Sequence, residues 1–126
     1  VYIFVKRSLH EPFLSAFDWA DTDNTCDVRF VTTVPTQTLT LMNSKFLNDS
    51  AETLAKHVAE VAPGDATAQI RHALHKATHR KPTDEEVQDG LDLIKELKEK
   101  TEASQEDAMQ RFCLLVLNLN EFLYLD

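Results

Sequence analysis

The sequence predicts a mostly helical, all-α domain: a compact bundle of about five helices, preceded by a short extended N-terminal arm. Three observations support this prediction. The 126 residues include only two glycines and four prolines, too few for an all-β fold with many tight turns. Apolar residues recur at the spacing typical of helices with one buried side. Helix start and stop signals separate these periodic segments. The length is that of a single domain.

The first third of the chain holds less regular structure. Residues 1–5 are β-branched or aromatic and predict an extended arm or short strand. Residues 12–17 can form one or two helical turns, because Pro12 is tolerated at a first helical position. Residues 18–30 read as a polar loop. Its segment 21–27 resembles a calcium loop, but Cys26 stands where such a turn needs glycine, so an EF-hand is excluded and a looser carboxylate site with ligands from elsewhere stays open.

The first two predicted helices follow directly. Helix one begins near Pro35 and places Leu39, Met42 and Phe46 on one face, at positions i, i+3 and i+7. Asn43 and Ser44 predict a break, and Ser44 can cap the next helix. Helix two continues the apolar stripe until Pro63 and Gly64 end it. Its stripe comprises Leu47, Ala51, Leu54, Ala55, Val58, Ala59 and Ala62.

Three further helices have clear start signals. Asp65 caps the third helix, which we expect to end at Lys81-Pro82. Thr83 and Glu86 have the spacing of a capping box and open the fourth, while Ser104 gives a weaker signal for the fifth. The predicted inward positions are Ile70, Ala73, Leu74 and Ala77; Val87, Leu91, Ile94 and Leu97 or Lys98; and Ala108, Phe112, Leu115, Val116 and Leu119. Residues 112–119 are apolar on nearly every side, which predicts a central helix. A break at 118–121 then lets residues 122–124 pack back.

The charge pattern excludes one class of function. Net charge is 13 − 21 = −8. Residues 83–107 hold ten acids against three lysines, a net of −7. Nucleic-acid binding needs clustered Lys and Arg, so we expect no nucleic-acid partner. The acidic segment 83–107 is either a solvated helix face or an acidic docking surface for a basic partner. No stretch is long and apolar enough to predict a membrane span.

The cysteines, histidines and serines offer few candidates for chemistry. Cys26 and Cys113 form no disulfide framework, zinc set or haem-attachment motif; a bridge between them stays open, and Cys113 reads as a small buried apolar side chain. His72, His75 and His79 are weak candidates for a metal site, since they share one helix side but lack a nearby carboxylate and have basic neighbours. No serine lies in a nucleophile-elbow context, and there is no glycine-rich phosphate loop.

Several motifs resemble a known family. Along the chain they are Pro12-Phe13-Leu14, Asn24-Thr25-Cys26, Arg29, Thr32-Thr33-Val34-Pro35-Thr36-Gln37, Leu41-Met42-Asn43, Arg80-Lys81-Pro82-Thr83 and the tail from Leu117 to Asp126. Together they resemble the C-terminal domain of the large planctomycete cytochrome-c-associated proteins, a family without an assigned function. Two positions depart from that pattern. His79 stands where a small residue, often glycine, is expected, and Leu119 replaces a small or polar one; both are interpreted as packing changes.

The resemblance implies a C-terminal piece of a larger exported protein. Other domains of the same polypeptide would be its partners. No cofactor is expected in this segment, and haem c would belong elsewhere in the full-length protein. The first function hypothesis is a non-catalytic structural or interaction module that docks onto the preceding domains. The second is a ligand-binding or catalytic-accessory domain that uses loop 18–37 to complete a site with them.

Polar residues cluster before and within the first predicted helix, whose N-terminus offers unpaired N–H groups. They either lock the loop to the helix or form a rim that contacts a neighbouring domain or a ligand. No catalytic residue is assigned. The candidate ligand or interface residues are Asp18, Asp21, Asn24, Cys26, Arg29, Thr33 and Gln37.

Overall fold

The protein is helical throughout the part that its computed structural model describes, residues 12–17 and 35–123. Within those ranges there is no strand, and the all-α class is confirmed. The helices are α1 (Pro12–Ser15), α2 (Pro35–Asn43), α3 (Lys45–Val61), α4 (Ala66–Thr78), α5 (Asp84–Thr101), α6 (Gln105–Val116) and α7 (Asn120–Leu123). The five long predicted helices correspond to α2–α6. The predicted arm at 1–5 and the loop at 18–30 lie outside the described residues.

The chain divides at Ser44 into two units, Val1–Ser44 and Lys45–Asp126. Helices α1 and α2 belong to the first unit, and α3–α7 form the second. The single-domain organisation therefore stays a prediction. No helix in the described ranges is both long and apolar enough to cross a membrane.

The buried face of α2 differs from the predicted one. Leu39 and Met42 are 58% and 46% exposed, and Phe46 is 68% exposed. Gln37 and Leu41 are buried instead, one helical turn apart. Within α2 the side that carries Gln37 and Leu41 is the buried one, so Leu39 and Met42 of the predicted stripe lie on the exposed side, and a helix break separates Phe46 from them. Ser44 separates α2 from α3 as expected, so Phe46 belongs to α3 and a spacing that spans the break does not define a face.

Helix α6 is the central helix of the second unit, as predicted. It packs against α3, α4 and α5. Its buried residues are Ala108, Met109, Phe112, Cys113 and Val116. Leu115, which was expected in the core, is 45% exposed, because the inward stripe runs through Phe112, Cys113 and Val116 and leaves Leu115 on the outer side. The helix also ends at Val116, before Leu119.

The three predicted start signals are confirmed. The side chain of Asp65 accepts a hydrogen bond from the Ala68 backbone N–H at 3.0 Å. Thr83 and Glu86 form a complete capping box, and Ser104 and Asp107 form another. Such caps satisfy backbone N–H groups that have no partner inside the helix, and each contributes about 1 kcal/mol. Local chemistry therefore determines where α4, α5 and α6 begin.

Helix α4 ends earlier than predicted. Its last residue is Thr78, and His79 has left-handed backbone angles, φ 56° and ψ 13°. The His79 N–H donates to the His75 carbonyl at 2.9 Å, which closes the helix before Lys81-Pro82. Left-handed positions after a helix favour glycine. The interpretation of His79 as a packing change is therefore wrong: glycine suits this position for its backbone conformation.

An arginine joins the ends of three helices. Arg80 Nη1 donates to Glu86 Oε2 at 2.9 Å, and Arg80 Nε donates to Glu121 Oε2 at 3.0 Å. Arg80 follows α4, Glu86 lies in the first turn of α5, and Glu121 lies in α7. Helix α7 packs back against α4, as predicted for the terminal turn, although the Phe122 side chain is 44% exposed; Tyr124 lies outside the described residues.

Gly90 lies where α5 crosses its two neighbours. It is buried, and an added Cβ atom would lie 2.9 Å from Ile70 Cγ2 and 3.0 Å from Phe112 Cε2. Ile70 belongs to α4 and Phe112 to α6. A glycine inside a helix costs about 1 kcal/mol of stability relative to alanine. The close approach of three helices explains why glycine nevertheless occupies this position.

We predict that Gly90→Ala lowers the free energy of unfolding by about 1–3 kcal/mol, since the overpacked Cβ outweighs the gain in helix propensity. Urea unfolding followed by circular dichroism measures the effect. The control is Glu99→Ala, an exposed site on the same helix, which should change stability by less than about 0.5 kcal/mol. A Gly90→Ala protein as stable as wild type would show that the three helices do not meet this closely.

We predict that His79→Gly stabilises the protein by about 0.5–1 kcal/mol, because glycine adopts the left-handed conformation without a steric penalty. Thermal unfolding measures the change. The matched control is His75→Gly, an exposed position inside α4, which should destabilise by about 1 kcal/mol. Equal losses in both variants would contradict the assigned backbone conformation of His79.

Acid unfolding should depend on Glu86. Hydrogen bonds from Arg80 and from the Thr83 backbone lower the pKa of Glu86 from 4.5 to about 2. A carboxylate with a depressed folded-state pKa stabilises the protein above its unfolded pKa, and this contribution is lost as pH falls through the folded pKa. Glu86→Gln should therefore lower stability at neutral pH and flatten its decline between about pH 5 and pH 2.

The control for this measurement is Glu85→Gln, one residue earlier in the same turn, with an exposed side chain. Its pH profile should parallel wild type. If Glu86→Gln and Glu85→Gln gave the same profile, the Arg80–Glu86 pair would contribute nothing beyond general surface charge.

Candidate binding groove

Most of the predicted interface residues cannot be placed. Asp18, Asp21, Asn24, Cys26, Arg29 and Thr33 lie outside the described residues, as does any grouping that they form. Gln37 is described, and only 2% of its surface is exposed. Gln37 is therefore an interior amide of α2.

The three candidate histidines differ in their surroundings. His75 and His79 are exposed, and His79 closes α4. His72 lies against His57 of α3, with ring centroids 5.5 Å apart and planes inclined by 51°; its Nε2 is buried without a hydrogen-bond partner. Across 12–17 and 35–123, no group of three His, Cys, Asp or Glu side chains is arranged to hold a metal ion.

Cys113 is a free thiol in the core of the second unit. It has no exposed surface, and burial raises its pKa from 9.0 to about 12. Since the thiolate is the reactive form of cysteine, this side chain is unsuited to nucleophilic chemistry. The prediction of a small buried apolar residue is confirmed.

The second unit has a groove of about 860 Å³ on its surface. The groove lies between the second half of α3, the start of α4 and the first turns of α6. Local sequence produces this arrangement: Gly64 takes a left-handed φ of 76° after α3, Asp65 then starts α4, and Ser104 starts α6. We call this surface the α3/α4/α6 groove.

The floor of the groove is made of small and flexible apolar side chains. Ala55 and Ala59 come from α3, Ala66 from α4, and Met109 from α6. Methionine adapts its shape to irregular apolar surfaces, and alanines leave the backbone accessible at close range. The floor therefore accepts an elongated apolar group.

The rim of the groove is acidic. Four carboxylates line it, Glu52, Glu60, Glu106 and Asp107, against one lysine, Lys56, a net charge of −4 + 1 = −3. Lys56 Nζ already pairs with Glu52 at 2.6 Å, a hydrogen bond that raises the lysine pKa. Asp107 Oδ2 accepts hydrogen bonds from the backbone N–H and the hydroxyl of Ser104, the N-cap residue of α6.

Within the described ranges, the other two rim carboxylates take part in neither an ion pair nor a helix cap. In the described part of the chain, neither Glu60 nor Glu106 has an ion-pair partner within 4.0 Å. They come from different helices, α3 and α6, and border the same open space. Their charges are therefore available to a partner.

A buried amide adds a further acceptor. Gln69 is only 8% exposed and borders the groove. Its Nε2 donates to the Ala62 carbonyl at 2.8 Å, which fixes the orientation of the amide. Its Oε1 accepts no hydrogen bond among the described residues, and it is not one of the polar atoms sealed from solvent. This oxygen therefore keeps some solvent exposure and an unused acceptor position on a residue that lines the groove.

Sequence reasoning did not find this groove, for two reasons. Ala55 and Ala59 were assigned to an inward stripe, but Ala59 is exposed. The acidic run 83–107 supplies only Glu106 and Asp107 to the rim, while Glu52 and Glu60 come from α3. The available signal was the pairing of a small with a charged residue every four positions in α3, at Ala55-Lys56 and Ala59-Glu60, which indicates a helix side that is neither core nor fully solvated.

Comparison with known proteins gives a family but no precedent for function. No curated protein and no solved structure matches the chain. The family model of PSD1, described as a protein of unknown function (DUF1553), matches residues 1–94 of the 126. The match includes α3 and α4 and stops within α5, before α6. Because it covers most of the sequence, the chain belongs to the PSD1 family of proteins of unknown function (DUF1553).

Proposed function

We propose that this chain is a non-catalytic structural and interaction module of a larger protein, and that it docks onto the domains that precede it. The observation that carries the proposal is the α3/α4/α6 groove, whose rim presents Glu60 and Glu106 without internal ion pairs. Charges of one sign around an apolar floor do not stabilise the isolated fold, and complementary charge on a partner gives them a role.

The kind of protein to which this domain belongs is inferred from the sequence motifs. Their resemblance to the planctomycete cytochrome-c-associated proteins supports an exported protein in which this chain is the C-terminal domain. On that proposal, any haem c is held by a preceding domain. The buried thiol of Cys113 agrees with a structural role for the core of the second unit, because its raised pKa suppresses reactivity.

The alternative function is a ligand-binding or catalytic-accessory role for loop 18–37. One observation supports this alternative. Gln37, at the end of that segment, has a polar side chain, and only 2% of its surface is exposed. A buried amide must satisfy its hydrogen bonds and thereby orients the segment around it. Such a fixed segment suits either a domain contact or the wall of a ligand site.

We expect the preceding part of the full-length polypeptide, produced separately, to bind this chain in trans. Isothermal titration calorimetry measures the affinity, and amide chemical shifts of the ¹⁵N-labelled chain locate the contact. The proposal predicts measurable binding with shifts at the groove. Absence of binding, together with independent thermal unfolding of the two parts in the intact protein, would contradict a docking module.

A further inference from the structure

We propose that the α3/α4/α6 groove binds a lysine- or arginine-bearing peptide segment. The inference deepens the proposed docking function, and it rests on that function for the location of the segment in the same protein. The chemical match between the groove and such a segment depends only on the residues that line the groove.

The polar groups that face the groove match a cationic donor. Glu60, Glu106 and Gln69 Oε1 are acceptors, and they come from α3, α6 and α4 respectively. Lysine and arginine heads carry donors and no acceptors. A cationic head at the rim would donate charge-assisted hydrogen bonds to the carboxylates, and such bonds are stronger than those between neutral groups. It would also supply the donor that Gln69 Oε1 lacks.

The floor matches the stem of the same side chains. Lysine and arginine lay their methylene stems along apolar surface while the charged head stays at the polar edge. Ala55, Ala59 and Met109 provide such a surface beneath the acidic rim. The combination of apolar floor and acidic rim therefore selects an amphipathic side chain over a bare inorganic cation.

The size of the groove indicates a segment. Its volume of about 860 Å³ lies in the upper part of the range of about 300–1,000 Å³ that holds a whole ligand. Several adjacent side chains can enter together. The negative field of the chain, with net charge −8, would also speed association with a basic partner at low salt.

The first test uses a fluorescein-labelled peptide of alternating lysine and alanine, with its glutamate–alanine counterpart as a negative probe. Fluorescence anisotropy measures binding to the full chain. The groove variant is Glu60→Gln with Glu106→Gln. The matched control is Asp89→Asn with Glu99→Gln, which removes the same charge from exposed positions of α5.

The groove variant should weaken binding of the lysine peptide by about five- to thirtyfold, and the control by less than about threefold. Equal losses in both variants would show attraction by net charge alone and would overturn the proposal. No binding of the lysine peptide to the wild-type chain would overturn it as well.

The second test changes shape without changing charge. Ala59→Trp places a bulky group on the floor, while Thr53→Trp places the same group on an exposed position of α3 that does not line the groove. Circular dichroism verifies that both variants fold. Ala59→Trp should abolish binding of the lysine peptide and Thr53→Trp should leave it intact; retained binding in Ala59→Trp would contradict a groove-bound segment.

Competition distinguishes a segment from a small cation. Spermine and Mg²⁺ should displace the peptide only at much higher concentrations than unlabelled peptide does. Displacement by spermine at concentrations equal to the peptide would assign the groove to a free polyamine and overturn the proposal.

The two proposals fail separately. If the preceding polypeptide binds but the groove variants leave its affinity unchanged, the groove inference is wrong and the docking function stands. If the lysine peptide binds the groove but the preceding polypeptide does not bind at all, the docking function is wrong and the groove accepts a basic segment from another source.

Discussion

The close approach of three helices at Gly90 is the constraint on which the second unit depends. A Cβ atom at this position would lie 2.9 Å from Ile70 Cγ2 and 3.0 Å from Phe112 Cε2, so α5 can pack this tightly against α4 and α6 only without a side chain there. The contact holds α5 close to both α4 and α6, the two helices that also provide walls of the groove.

Capping determines the remaining geometry of the groove. Asp65 and Ser104 start α4 and α6 through side-chain hydrogen bonds to backbone N–H groups, and these starts place Ala66 and Glu106 at the groove. Because Asp107 is used in the Ser104 capping box, it contributes charge but fewer free acceptor positions than Glu106. Asp107 therefore serves the helix cap, while its neighbour Glu106 has no ion-pair partner among the described residues.

Local signals could be predicted from the sequence, and contacts between distant residues could not. The caps at Asp65, Thr83 and Ser104 depend on residues three apart, so the sequence alone indicates them. The face of α2 was predicted wrongly because a polar residue, Gln37, lies on its buried side, and because the break at Ser44 separates Phe46 from this helix. The need for glycine at position 90 could not be predicted, since the side chains that exclude a Cβ there, Ile70 and Phe112, lie on two other helices. The groove needs three helices to meet, while the predicted site at Asp18–Thr33 lies outside the described residues.

A double-mutant cycle between Gly90 and Ile70 tests the central constraint most directly. Ile70→Ala removes the Cγ2 atom that an added Cβ would contact. If the contact governs packing, Gly90→Ala should cost markedly less in the Ile70→Ala background than in wild type, with a coupling free energy of about 1 kcal/mol or more from denaturant unfolding. Additive losses within about 0.3–0.5 kcal/mol would contradict the account, because they would show that α5 does not pack against Ile70 at this point.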